Sequence, residues 1–376
     1  MSRDKEILLK EANHVMTVCN ACRYCEGFCA VFPAMELRRT FTVGDMKYLA
    51  NLCHNCRGCY YACQYAPPHE FDLNIPKTFA ELRVETYKEY MWPSFMGKFL
   101  DNNEYKSPIV TAFCILLVFF MTLIGSGTEA MFATHTGEAI FYNVTPYKWL
   151  MISFSGIALG IVLLWVNGIF RFWKSIGAPL SDIWDRRAHV QAIKDVLILR
   201  YLDGGGHGCN YPDDAFSNMR RYFHHAVFYG FISCFIATCV AFFFEHAIGW
   251  PHPFSAFSIP VIFGTLGGIS ICVGCIGFWW LKGKMDHAPS SPFTTGMDRS
   301  FINLVFWVSF SGLLLLFFRG TGVMGLMLTI HLGFVLSFFV LAPFGKMLHM
   351  VYRYFALVRN AQEQYRADES EQSVGH

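Results

Sequence analysis

The sequence predicts an all-α protein in two parts: a small helical head rich in cysteine, then a bundle of six membrane-crossing helices. Three observations lead there. The 376 residues are 54% hydrophobic and 17% aromatic but only 15% charged, against about 25% charged in soluble domains. The apolar residues gather beyond position 107 into six long stretches, whereas eight of the 14 cysteines fall between Cys19 and Cys63. The length leaves room for two domains. The net charge of +2 comes with no basic patch, so no nucleic-acid partner is expected.

The head is organised by two copies of one spacing. Cys19-x2-Cys22-x2-Cys25-x3-Cys29 is repeated as Cys53-x2-Cys56-x2-Cys59-x3-Cys63. This is the run with which bacterial ferredoxins hold two [4Fe–4S] clusters, the fourth cysteine serving the other cluster. Three closely spaced thiolates wrap one face of a cluster, and the fourth points away. Cluster one is therefore assigned to Cys19, Cys22, Cys25 and Cys63, and cluster two to Cys53, Cys56, Cys59 and Cys29. A disulfide framework belongs to small secreted domains, and the polar start Met1–Glu11 does not read as a secretion signal. Structural zinc usually takes two cysteine pairs separated by a longer loop. The runs depart from ferredoxin in one respect: Ala30 and Gln64 stand where proline usually follows, with Pro33 and Pro67 displaced along the chain. His54, beside Cys53, could tune a cluster through a hydrogen bond or face solvent.

In order along the chain, residues 1–18 read as an amphipathic helix and 34–52 as short helices. Pro67-Pro68 is a break, and Ile75–Tyr90 is a polar helix leading to Trp92 and Pro93 at the interface. The head is thus placed at 1–92 and the membrane domain at 93–376. The spans are expected at about 108–125, 149–170, 224–244, 257–281, 301–318 and 323–344, each near the ~20 residues a crossing needs. Lys and Arg crowd the loop 171–223, the loop 282–300 and the tail, and are sparse in the opposite loops. By the positive-inside rule these segments, both termini and the clusters are expected to be cytoplasmic, in a multi-pass membrane protein. Gly204-Gly205-Gly206-His207-Gly208-Cys209 reads as a flexible docking surface or linker, lacking the strand–helix setting of a phosphate cradle. The glycines of 264–277 read as close helix packing. Cys272-x2-Cys275 reads as apolar core before redox pair, and His207, His252 and His287 as solvated loop residues.

Ionisable groups inside a bilayer are costly and usually functional. His331 and His349 are 18 residues apart in sequence, five whole helical turns, so they share a face about 27 Å apart. The third span carries His224 and His225 at its cytoplasmic end and His246 at its outer end. Antiparallel spans three and six then place the histidines at matching depths. Two b-type haems fit, with His224 or His225 facing His349 inside and His246 facing His331 outside; interfacial hydrogen bonding is the plainer use for any one of them. The membrane part is accordingly read as cytochrome-b-like.

The strings CNACRYCEGFCAVFPAME, LCHNCRGCYYACQYAPPHEF and GGGHGCNYPDD…RRYFHH together resemble the tricarballylate/citrate utilisation protein B family. The resemblance runs from the first cysteine run to the last span. It implies a membrane protein with two [4Fe–4S] clusters that reoxidises the reduced FAD of a soluble dehydrogenase, one oxidising tricarballylate. The electrons pass to the quinone pool. The sixth span is also similar to the haem-bearing last helix of the respiratory nitrate reductase cytochrome b subunit, which has the same histidine separation. On the third span that likeness fails, since no His stands near position 235, and it supports His331 and His349 more than His246. Two alternatives stay open: the membrane subunit of a heterodisulfide-reductase-like thiol oxidoreductase, and a non-catalytic iron–sulfur redox sensor.

Overall fold

The computed structural model describes residues 4–374; Met1–Arg3, part of the expected first helix, and the two chain ends lie outside the described residues. Helix α1 (Lys5–Cys22) is capped by Asp4, whose carboxylate accepts the Glu6 N–H. It buries Leu8, Ala12, Val15, Met16 and Cys19, an apolar stripe of helical period. At its end Arg23 takes a left-handed conformation and returns its N–H to Cys19 O at 2.8 Å, so the chain reverses between Cys22 and Cys25. Three short helices follow: α2 (Val31–Glu36), α3 (Val43–Leu52) and α4 (Gly58–Tyr61). A capping box holds the start of α3, with Thr42 and Asp45 satisfying each other's backbone N–H groups. Helix α5 (Ile75–Tyr90) starts on Asn74, which accepts the Lys77 N–H, with Pro76 in its first turn.

Six helices, 18 to 30 residues long as bounded here, are long and apolar enough to cross a membrane. They are α6 (Asn103–Phe132), α7 (Tyr147–Ser175), then, beyond the amphipathic α8 (Arg186–Leu197), α9 (Met219–Phe243), α10 (Ile259–Lys284), α11 (Pro292–Phe318) and α12 (Met324–Leu341). A wider turn, Phe244–Ile248, prolongs α9. Large apolar side chains on the bundle face outward, Ile124 at 80% and Phe317 at 79% exposed; a multi-pass protein turns such faces to lipid. Several helices overrun the apolar stretches: α6 begins at Asn103 rather than 108 and α11 at Pro292 rather than 301. Apolarity marks only the lipid-facing part, while the backbone ladder continues into the polar ends. A two-stranded hairpin, β1 (Cys209–Asn210) with β2 (Phe216–Ser217), is the one sheet among the described residues. The chain ends in the long α13 (Leu348–Val374).

Helices α9 and α10 pack most intimately: a Cβ on Gly267 would stand 2.7 Å from Gly230 O. The main core is not confined to the first ninety residues. Leu8, Met16, Tyr48, Phe79 and Tyr87 share one cluster with Phe172 and Trp173 from the end of α7, Ala188 and Ala192 from α8, and Leu348, Tyr352, Leu357 and Ala361 from α13. Tyr352 stacks on Tyr87 at 5.3 Å. A boundary between residues 92 and 93 therefore does not separate two cores, because the C-terminal helix completes the head.

Candidate functional site

The first site forms where the reversal at Arg23 meets the turn after α4. Cys19, Cys22, Cys25, Cys59 and Cys63 line a cavity of about 500 Å³ that also takes in Arg23, Tyr24 and Tyr65. Cys22, Cys25 and Cys63 are half-buried, and Cys19 is buried. Burial pushes the Cys19 thiol up to about 12, with Cys63, Cys25 and Cys22 adding repulsion. Cys25 is raised to about 12 for the same reasons. Four thiolates in one pocket repel each other unless cationic iron compensates them, so the donor set fits a cluster better than it fits free thiols.

The second site is deeper. Cys53, Cys56 and Cys59 are buried, and Cys29 lies beside all three, its thiol held well above the ordinary range by the hydrogen bond it makes to Cys56, by burial, and by the other sulfurs. Cys56 goes the other way, down to about 7, chiefly through that same bond from Cys29, with the Gly58 N–H and Arg220 assisting. Asn55 N–H donates to Cys53 Sγ at 3.4 Å, a bond typical of cluster sulfurs. The structure brings Cys63 to the cavity of the first run and Cys29 beside the second run, with Cys59 reaching both. Among the described residues no group of His, Cys, Asp or Glu converges on a single metal ion. One ion needs its sulfur donors about 2.3 Å away, whereas a four-iron cluster takes each thiolate on its own iron and needs them further apart.

Around the second site the chain places three arginines that spacing alone does not mark. Arg83 Nη2 donates to Cys53 O at 2.6 Å and Arg353 Nη2 to the same oxygen at 2.9 Å. Arg220 donates to Asn55 O at 2.5 Å and His54 O at 3.1 Å. These four hydrogen bonds end on neutral carbonyls rather than on carboxylates, and burial followed by Arg83 pushes Arg353 down to about 9. His54 is 8% exposed, not solvated, and its Nδ1 donates to Leu52 O at 2.8 Å. Burial and Arg353 hold its pKa well below the ordinary imidazole value.

Arg353 also adjoins His349, and His224 lies close to His349. His349 Nδ1 donates to Lys346 O at 2.5 Å, which leaves Nε2 with its lone pair, the arrangement of a metal-ligating histidine. Burial, then Arg353 and Lys346, keep its pKa well below the ordinary value, so the ring is neutral. His224 Nδ1 is buried without a partner among the described residues. His225 Nε2 is likewise unpartnered, and its ring leans on Tyr229 at 5.6 Å. The inner histidines fit axial ligation of a haem.

The outer pair is different. Ser311 Oγ lies 3.0 Å from His331 Nδ1 and 3.1 Å from Val308 O, and the Val308 backbone also engages the His331 ring. His246 is exposed, and both its nitrogens are engaged: Tyr147 OH donates to Nε2 at 2.6 Å and Nδ1 donates to Phe242 O at 2.9 Å. The structure joins His246 to Tyr147 and Phe242, not to His331. One loop reading changes as well. His252 is 6% exposed rather than solvated, stacked on Phe141 at 4.8 Å with Glu245 at 3.5 Å. Gly205 (φ +76°) places its would-be Cβ 2.8 Å from Gly27 O, so the glycine stretch touches the first cysteine loop at that point, while Gly205, Gly206 and His207 stay exposed.

The fold and these cysteine sets define a class: a multi-pass membrane protein with a ferredoxin-like, iron–sulfur-binding head. The comparisons narrow it. Residues 106–370 match the family model for citrate utilization protein B, and residues 12–89 match the model for the citrate utilization protein B Fer4-like domain. Citrate utilization protein B of Escherichia coli is 43% identical over 362 residues, covering 96% of this chain and 94% of that protein. The chain belongs to the citrate utilization protein B family. No solved structure matches it.

Proposed function

We propose that this protein reoxidises the reduced FAD of a soluble dehydrogenase, one acting on a tricarboxylic acid such as tricarballylate, and delivers the electrons to the quinone pool of the bacterial inner membrane. When bound, two [4Fe–4S] clusters and a b-type haem supply one-electron carriage between a two-electron flavin and a two-electron quinone. The cluster ligands are Cys19, Cys22, Cys25 and Cys63 at the first site, and Cys53, Cys56, Cys59 and Cys29 at the second. The observation that carries the reading is continuity. The half-exposed first site abuts the buried second through Cys59, which adjoins Cys25 and Cys19 as well as Cys56 and Cys53, and Arg353 joins the second site to His349. The chain itself holds the thiolates in place, keeps water from the second site, and fixes the His349 tautomer through Lys346 O. Lys and Arg in the connecting loops favour the cytoplasmic side for the head.

The reading is tested on detergent-purified protein by iron and acid-labile sulfide analysis together with a dithionite-reduced minus oxidised spectrum. Two four-iron clusters require about eight irons and eight sulfides per chain, and a haem gives a b-type α-band. His349→Ala is expected to remove that band. A second haem on His331 would require His246 to release Tyr147, and Tyr147→Phe would then raise rather than lower haem content. Protein with full iron and sulfide but no α-band would exclude the haem and leave direct transfer to quinone, or the sensor reading.

A further inference from the structure

The two cluster sites differ in the charge around them. Four hydrogen bonds from Arg83, Arg353 and Arg220 end on the carbonyls of residues 53–55, the backbone that carries Cys53 and leads into Cys56. At the first site the guanidinium lining the cavity is Arg23, which is exposed and bonded to Asn20 O at 3.1 Å. Water screens a surface charge strongly and a buried one weakly. The arginines of the second site bond neutral carbonyls rather than carboxylates there, so those hydrogen bonds leave their charge uncancelled. One electron added there makes the site one unit more negative, and uncompensated cations favour that state. Solvent at the first site also favours added negative charge, so the two influences compete, and buried full charges within hydrogen-bond reach of the ligand loop act at the shorter range.

We propose that Arg83, Arg220 and Arg353 are positioning residues that raise the reduction potential of the second cluster above that of the first. Electrons accepted from reduced flavin at the exposed site then run inward, toward His349. The proposal rests on the iron–sulfur assignment above and adds the direction of flow. No proton and no further reactant is involved: one electron leaves the first site and arrives at the second.

The experiment is a potentiometric titration followed by electron paramagnetic resonance on the full-length protein in detergent, with iron and sulfide measured on each sample. Cys56→Ser marks the signal of the second cluster. Arg353→Gln is expected to lower the potential of that signal alone, changing the equilibrium constant for electron sharing between the clusters roughly tenfold, about 59 mV for a one-electron couple. Arg353→Lys retains the charge and is expected to keep most of the potential, while Arg187→Gln, at an exposed surface pair with Glu369, leaves both signals in place. Should Arg353→Gln fail to assemble clusters, Arg220→Gln is read by the same criterion, with Arg353→Lys as the charge-retaining control. An unmoved second signal, or an equal fall in both, in protein with full iron and sulfide would overturn the proposal. Wild-type protein without iron or sulfide would instead bring down the assignment on which it rests.

Discussion

Thr42 and Asp45 show how single residues hold the head in shape. Burial alone would raise the Asp45 pKa, but the Thr42 hydroxyl and Arg38 override it and hold the carboxyl below its usual range. Glu89 is depressed likewise, against its burial, by Lys47 and Lys5. A depressed folded pKa means stability that is present above the unfolded value of about 4 and is lost as pH falls through the folded one. The head is therefore expected to unfold progressively below about pH 4, followed by near-ultraviolet circular dichroism, and Asp45→Asn should flatten that acid limb. Thr42→Ala is expected to cost about 1 kcal/mol, visible as a lower melting temperature at neutral pH. Both residues can be read from the Thr-x-x-Asp pattern ahead of an apolar run. Arg83, Arg220 and Arg353 could not be read that way, because nothing in their spacing says that three distant segments meet at the carbonyls of residues 53–55.

Among the elements, the α9–α10 pair shows why glycines recur at 264–277. Gly230 and Gly267 face each other so closely that any side chain at either must part the helices. Gly267→Leu is expected to destabilise the bundle by about 1–3 kcal/mol, as overpacking does, and to lower its melting temperature in detergent; Gly283→Leu, where a Cβ meets nothing within 4 Å, should be neutral. All six spans were legible as apolar runs, but their ends were not. The predicted start of the fifth span at 301 misses Asp298, whose carboxylate accepts from Lys282 at 2.9 Å and Lys346 at 2.6 Å. That contact lies on α11 before the apolar stretch and ties α10 and α11 to the turn that precedes α13.

The whole molecule is built so that its last helix finishes its first domain. Chains ending at Gly345 would lose His349, Arg353 and the core face Leu348, Tyr352, Leu357 and Ala361. Such a truncation is expected to leave the six spans in the membrane while the head becomes protease-sensitive and poor in iron. Residues 1–92 produced alone should behave the same way, because Tyr87, buried against Tyr352, would then be uncovered. Iron content and limited proteolysis check both; a stable, iron-replete 1–92 fragment would show that the head folds without α13.

By itself the sequence determined that the chain is helical, that six segments belong in lipid, and that eight cysteines in two ferredoxin-like runs form the head. Each of these is a local property: hydropathy over a span, or spacing within a dozen residues, limits what a short segment can do. Tertiary structure alone decided that α13 returns to the head and that the arginines of α5, α9 and α13 converge on the second cysteine loop. It also decided that His224 approaches His349 while His246 is held by Tyr147. These are meetings of residues far apart in the chain, and their energy comes from burying apolar surface and satisfying buried polar groups across the whole fold. A one-dimensional pattern does not encode such meetings.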